Sequence, residues 1–167
     1  TEAVVKEIIA SKILPEGALQ LLCGSAGNML NFVTSQDVVT FTGSTATGLK
    51  LKSQPAILRE SVPFNMEADS LNCMVLGQDV NPGMPEWDIF IKEVRKEITV
   101  KAGQKCTAVR RIFVPQNKLD DVSRALADAL QKTAVGNPLN EKVRMGALAG
   151  QEQRSEVKSQ LQKLLAS

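Results

Sequence analysis

Short apolar runs, each followed by a glycine-bearing turn and a helical stretch, constrain this chain more than any other feature. Val38-Val39-Thr40-Phe41 reads as a buried strand, and Thr42-Gly43-Ser44-Thr45-Ala46-Thr47-Gly48 as the turn that leaves it. Leu49-Lys50-Leu51-Lys52 then continues as helix. Upstream, Leu19-Gln20-Leu21-Leu22-Cys23 is a similar run, expected to be a buried strand ending at Gly24. Gly24 to Asn28 is expected to open a helix carrying Met29, Leu30 and Phe32. Strand, helix, strand, helix in steps this short predicts an α/β fold, a parallel sheet with helices on its faces.

The same reading extends along the chain. Val4, Val5, Ile8 and Ile9 share one face of a helix that Pro15 and Gly17 terminate. Val62, Phe64 and Met66 alternate ahead of Glu67, and Leu71 to Leu76 is a further apolar run, so both are read as strands. Asn81 to Pro85 is a loop leading into a helix, where Trp87, Phe90, Ile91, Val94 and Ile98 recur at core spacing. Arg111 to Val114 is a strand. Asn117 is expected to cap a helix with Leu119, Val122, Leu126 and Leu130 inward, Asp120 and Asp121 near its N-terminus and Gly136-Asn137-Pro138 at its end. Val157, Leu161, Leu164 and Leu165 form a last amphipathic helix.

Composition narrows the function classes. With 43% hydrophobic and 23% charged residues the chain is ordinary for a folded α/β protein. A net charge of +2, with no basic run carrying interleaved aromatics, argues against nucleic acid. No apolar stretch reaches the length of a membrane span, and no signal peptide is visible. Cys23, Cys73 and Cys106 lack any C-x-x-C spacing, which fits reduced thiols in the cytoplasm. The absence of His removes Ser-His-Asp and Cys-His catalysis and most zinc sites, so no metal site is expected.

Three places carry residue types suited to chemistry. Cys106 follows Gly103-Gln104-Lys105 and precedes Arg110 and Arg111. A thiol is a nucleophile only when ionised, which nearby cations favour, and the alternative is a packed structural Cys. Cys23 and Cys73 lie inside apolar runs and are read as packed thiols. The turn Thr42, Gly43, Ser44, Thr47, Gly48 leaves a strand and opens a helix, where amide groups and the helix dipole favour a phosphate. It is neither G-x-G-x-x-G nor a P-loop, since Leu49 separates Gly48 from Lys50. A tight turn capped by Ser44 or Thr45 explains it equally well. Glu67, at a strand end with apolar neighbours on one side, can be a general base or simply an exposed turn acid. Asp69 is a weaker candidate of the same kind.

Taken together and in order, these segments resemble the aldehyde dehydrogenase superfamily. Phe41 to Gly48 resembles its cofactor-phosphate turn, Glu67 falls at its general-base Glu, and Gly103-Gln104-Lys105-Cys106 resembles its nucleophile segment. Arg111-Ile112-Phe113-Val114, Gly136-Asn137-Pro138 and Met145-Gly146-Ala147-Leu148 match later landmarks, and the register runs from near Leu14 to near Leu148. The family usually follows its Glu with Leu-Gly-Gly-Lys-Ser, whereas Glu67-Ala68-Asp69-Ser70 is two residues shorter. With Asn65-Met66 before it and Leu71-Asn72 after, that form resembles the branch found in aerobic phenylacetate degradation. In that branch an aldehyde dehydrogenase half is fused to an enoyl-CoA hydratase-like half that opens an oxepin-CoA ring.

The resemblance implies catalysis by Cys106 and Glu67, and a cofactor phosphate on Thr42, Gly43, Ser44, Thr47 and Gly48. It implies oxidation of a CoA-linked semialdehyde, a small-molecule substrate, with NADP as acceptor and NAD as the alternative. Residues 1–67 are then the end of a Rossmann-like cofactor domain, and residues 68–167 the start of an α/β catalytic domain. The chain begins at Thr1 without Met, and the family's oxyanion Asn, its ribose-binding residues and its oligomerisation hairpin would lie outside it. A segment of a longer, homo-oligomeric protein, itself inactive in isolation, is therefore expected. Two alternatives stay open: another branch, such as an acylating enzyme, or a nucleotide-binding module with a structural Cys106.

Overall fold

The strand read at Val38 to Phe41 forms as β1 (Val39–Gly43) in a computed structural model that describes residues 1–167. It pairs in parallel with β2 (Phe64–Ala68), Val39 beside Phe64 and Gly43 beside Ala68. Parallel neighbours need a crossover, here α2 (Thr45–Lys52) and α3 (Pro55–Arg59). Pro55 occupies the first turn of α3, where its missing N–H costs nothing, and Ala56 and Ile57 are buried. Gly48 lets α2 lie close on the strands: a Cβ there would stand 3.1 Å from Phe41 Cδ1 and closer still to the Met66 sulfur. These elements, with α1 (Glu2–Ala10), belong to a first compact unit, Thr1–Asp69.

The second unit is Ser70–Ser167. Its strands β3 (Cys73–Val75) and β4 (Arg111–Phe113) are also parallel, and α4 (Pro85–Thr99) lies between them in the chain. Trp87, Phe90 and Val94 of α4 are buried with Leu76 and Val122, while Ile91, Ile98 and Leu126 pack against that cluster. The three-to-four spacing thus becomes the core stripe, and burial of each such side chain contributes about 1.5–3 kcal/mol. Glu86 and Asp88 complement the N-terminal end of α4. The helices α5 (Leu119–Gln131) and α6 (Gln151–Ala166) complete the unit.

Several expectations are corrected. Leu19 to Cys23 forms no strand, and Leu21, Leu22 and Cys23 are exposed; the helix after it is one 3₁₀ turn, Met29–Phe32. A strand persists only where a neighbour supplies its ladder, and neither two-stranded sheet includes this run. Cys73 does lie on β3 but is exposed, so neither it nor Cys23 is a packed thiol. Asn117 is not the cap of α5. Pro115 starts a 3₁₀ turn, Gln116–Lys118, and Lys118 takes the cap position, its ammonium donating to the carbonyls of Gln78 and Val80. Leu119 is half-exposed, and α5 stops at Gln131, before Gly136. No residue of α6 is buried.

Candidate active site

The turn leaving β1 is built from local hydrogen bonds. Ser44 caps α2, its hydroxyl accepting from the Thr47 amide at 3.3 Å and donating to the Thr47 hydroxyl at 3.0 Å. Thr42 and Gly43 end β1, and Thr47 and Gly48 lie in the first turns of the helix. The Asp69 carboxylate accepts from the Thr45 amide at 2.9 Å, so an anion from the same unit already sits on this helix end. The Thr45 side chain first and its amide second hold the Asp69 carboxyl below the usual range. Asp69 also adopts φ 37°, a left-handed conformation rarely taken by a residue with a Cβ. Asp69, the weaker base candidate, thus has a structural bond at the start of α2 and a lowered basicity.

Glu67 lies on β2, exposed, and its register partner on β1 is Thr42. Thus the carboxylate and the phosphate-type turn belong to neighbouring strands of the first unit. An alternating strand puts Met66 and Glu67 on opposite faces, which is why Met66 packs toward Gly48 while Glu67 is open.

Cys106 lies in the second unit, exposed, at the corner of a turn closed by the Ala108 amide bonding to the Lys105 carbonyl at 3.2 Å. The approach to it is unusual. Lys101 (φ 52°), Ala102 (φ 54°) and Gly103 (φ 71°) are left-handed in succession, and a Cβ at Gly103 would meet the Ile98 carbonyl at 3.3 Å. Each non-glycine residue held this way costs of order 1–3 kcal/mol, which surrounding contacts must offset. Those contacts are present. Lys105 Nζ bonds Glu97 Oε1 of α4 at 2.7 Å, both side chains about one-fifth exposed, at 21% and 18%. Arg110 donates to the carbonyls of Gly103 (3.1 Å) and Lys105 (3.4 Å), and Gln104 accepts from the Ala149 amide at 2.8 Å. Two residues after the nucleophile candidate, Ala108 is completely buried.

The Cys106 carbonyl is held from another segment, by the Ser70 hydroxyl and by Asn72 Nδ2, the latter at 2.7 Å. The Cys106 amide has no backbone acceptor within the chain, so the thiol has a free donor beside it. Sequence reasoning does not single out Ser70, Asn72 or Glu97. Their only trace there is polar side chains next to apolar runs, a weak signal for contacts 36, 34 and 8 residues away in the chain.

Comparison with known proteins adds the relationship. The sequence profile of the aldehyde dehydrogenase family matches residues 1–167. The 3,4-dehydroadipyl-CoA semialdehyde dehydrogenase of Aromatoleum evansii is 45% identical over 167 residues, 98% of this chain and 32% of that protein. A crystal structure of betaine aldehyde dehydrogenase from Staphylococcus aureus, a double mutant in complex with NAD+, superposes with a TM-score of 0.82. It is 22% identical and matches 96% of this chain and 31% of that one. An apo point mutant of the same enzyme gives 0.83 over the same share. The chain therefore spans about a third of the length of either enzyme. The family profile matches the whole chain and the fold agrees over 96% of it, and the chain belongs to the aldehyde dehydrogenase family.

Proposed function

We propose that this chain supplies the nucleophile, the base and the cofactor-phosphate turn of an NAD(P)-dependent dehydrogenase that oxidises a CoA-linked semialdehyde to its acid. The observation that carries the reading is the state of Cys106: an exposed thiol at a turn corner, with a tethered carbonyl and an unpaired amide, in a chain of this family. Residues 1–67 are then the end of the cofactor domain and residues 68–167 the start of the catalytic domain, a boundary two residues before the division between the compact units Thr1–Asp69 and Ser70–Ser167.

The thiolate of Cys106 attacks the aldehyde carbon, forming a sulfur–carbon bond and placing negative charge on the oxygen. The Cys106 N–H donates to that oxygen, an interaction that strengthens as charge develops. A bound nicotinamide would supply the acceptor for the hydride that leaves this carbon. The resulting thioester is hydrolysed by water from which Glu67 removes a proton, and the Cys106 thiolate departs with the electron pair.

The α2 end fits a phosphate group. Its first turn holds no acidic residue and the Ser44 and Thr47 hydroxyls stand beside it, while the Asp69 carboxylate takes the Thr45 amide and would have to give way to a phosphate there. The substrate class is supported by the 45% identity to a CoA-semialdehyde dehydrogenase. NADP is proposed as acceptor ahead of NAD, on the branch resemblance, and homo-oligomerisation rests on that same footing, while a cytoplasmic setting rests on the three free cysteines. No helix is long and apolar enough to cross a membrane.

The test is Glu67→Gln in a protein of the relatives' length carrying this segment, with both dinucleotides assayed in parallel. General-base assistance is worth about 10²–10⁴ in rate, so steady turnover falls by that range while a burst of roughly one reduced cofactor per site survives. A burst that falls in step with turnover assigns Glu67 to activating Cys106 instead. Unchanged kinetics removes Glu67 from the mechanism.

A further inference from the structure

Cys106 is exposed, and an exposed turn residue ordinarily samples several backbone conformations. Here the carbonyl on its C-terminal side is not free. The Ser70 hydroxyl and Asn72 Nδ2 both donate to it, and Asn72 also donates to Ser70 Oγ at 2.9 Å, so the two side chains form one connected clamp. The clamp is itself anchored. The Asn72 carbonyl accepts the amides of Arg110 (2.8 Å) and Arg111 (3.2 Å), at the start of the β3–β4 ladder. The other side of Cys106 is tied separately, through Lys105 to Glu97.

A peptide group is planar, so holding the Cys106 oxygen also fixes the Thr107 N–H pointing the opposite way and restricts ψ of Cys106. With its carbonyl clamped on one side and Lys105 tied to α4 on the other, the Cys106 backbone that carries both thiol and amide keeps one place. A nucleophile and its oxyanion donor need that constancy, because misplacement by about 1 Å can cost roughly a hundredfold in rate.

From this geometry we infer that Asn72, assisted by Ser70, is a positioning residue for Cys106: its amide clamps the Cys106 carbonyl and so holds in place the backbone that carries the thiol and the amide. The inference rests on the reading of Cys106 as the nucleophile. Asn72 touches no reacting atom, and its effect passes through the Cys106–Thr107 peptide.

The first experiment reads the backbone and needs no activity. Hydrogen exchange followed by mass spectrometry compares the 167-residue chain with Asn72→Ala, Asn72→Asp and Ser70→Ala. Asn72→Asp keeps the size but has no side-chain N–H. Losing a hydrogen bond of this kind should speed exchange in the peptide covering residues 104–110 by about tenfold in both Asn72 variants, and by less in Ser70→Ala. The α4 peptide covering residues 86–98 should be unchanged. Acceleration of both peptides together marks a general loss of stability and overturns a specific clamp. A wild-type rate in Asn72→Asp shows that shape rather than the donor matters, and overturns it too.

The second experiment reads the chemistry, in a protein of the relatives' length. Asn72→Asp should slow the burst of cofactor reduction roughly tenfold or more while KM for the dinucleotide is preserved. An unchanged burst overturns the positioning role alone. Turnover that survives Cys106→Ala overturns the nucleophile reading, and this inference with it.

Discussion

Replacing Lys105 by Met removes the cation that Glu97 faces and leaves the rest of the Cys106 turn chemically intact. The Lys105–Glu97 contact is 2.7 Å long, with the two side chains only 21% and 18% exposed, and Glu97 Oε2 is already buried without a partner. Exposed ion pairs contribute at most about 1 kcal/mol, while breaking a fully buried pair costs about 3–5 kcal/mol because a charge is left stranded. One-fifth exposure lies between these limits, and residual water access brings the cost below the buried range, so the expected loss is about 2 kcal/mol. Trp87, the only tryptophan, sits in the core of the second unit and reports its unfolding by fluorescence. With a urea slope of about 1–3 kcal/mol per M, the midpoint should fall by roughly 1 M. Removing both charges, as Lys105→Met with Glu97→Leu, should recover most of that, since an apolar pair strands no charge. A single-variant midpoint within roughly 0.2 M of the parent would refute the reasoning. So would a double variant less stable than Lys105→Met alone.

Two shorter predictions follow from the same structure. All three cysteines are exposed, so native protein treated with iodoacetamide should gain three adducts per chain, and a protected Cys23 or Cys73 would contradict the structure. The Asp69 carboxyl is held below its ordinary value, so its tether to Thr45 is fully present above about pH 4 and is lost as pH falls through the lower, folded-state value. The Thr45 amide resonance should therefore titrate with a midpoint below about pH 4, and a midpoint above it would remove the tether.

What the sequence makes readable is the periodic part. The α4 stripe, the paired strands β1 and β2, and β4 all carry patterns that burial enforces over several residues, and they form where expected. Leu19 to Cys23 has the right composition but no ladder partner, and apolar content by itself cannot supply one. The Asn117 cap fails for a different reason. Pro115 tightens the chain into a 3₁₀ turn and shifts the cap to Lys118, whose ammonium finds the Gln78 and Val80 carbonyls from a segment far upstream. At the candidate site the residue types bearing the chemistry are legible, but their supports are not. Ser70 and Asn72 reach Cys106 across more than thirty residues, and no local pattern records such a contact.

Asp69 shows how a support can be mistaken for a reactive group. As a carboxylate two residues beyond Glu67 it has the composition of a second base, and the shortened turn brings it no intervening glycine or lysine. The fold gives that carboxylate other work. It bonds the Thr45 amide, its backbone takes a left-handed φ that a glycine would adopt more easily, and its basicity is lowered by the Thr45 side chain first and that amide second. Protonation at Asp69 would weaken its bond to the Thr45 amide, so using it as a base would loosen the very turn proposed to hold the cofactor phosphate. Glu67 has no such tie, being open on the face opposite Met66 and next to Thr42 in the ladder. Between two carboxylates two residues apart, a change of protonation at the one that anchors no helix breaks no hydrogen bond of the fold around it, and that is the physical ground for proposing Glu67 as the base.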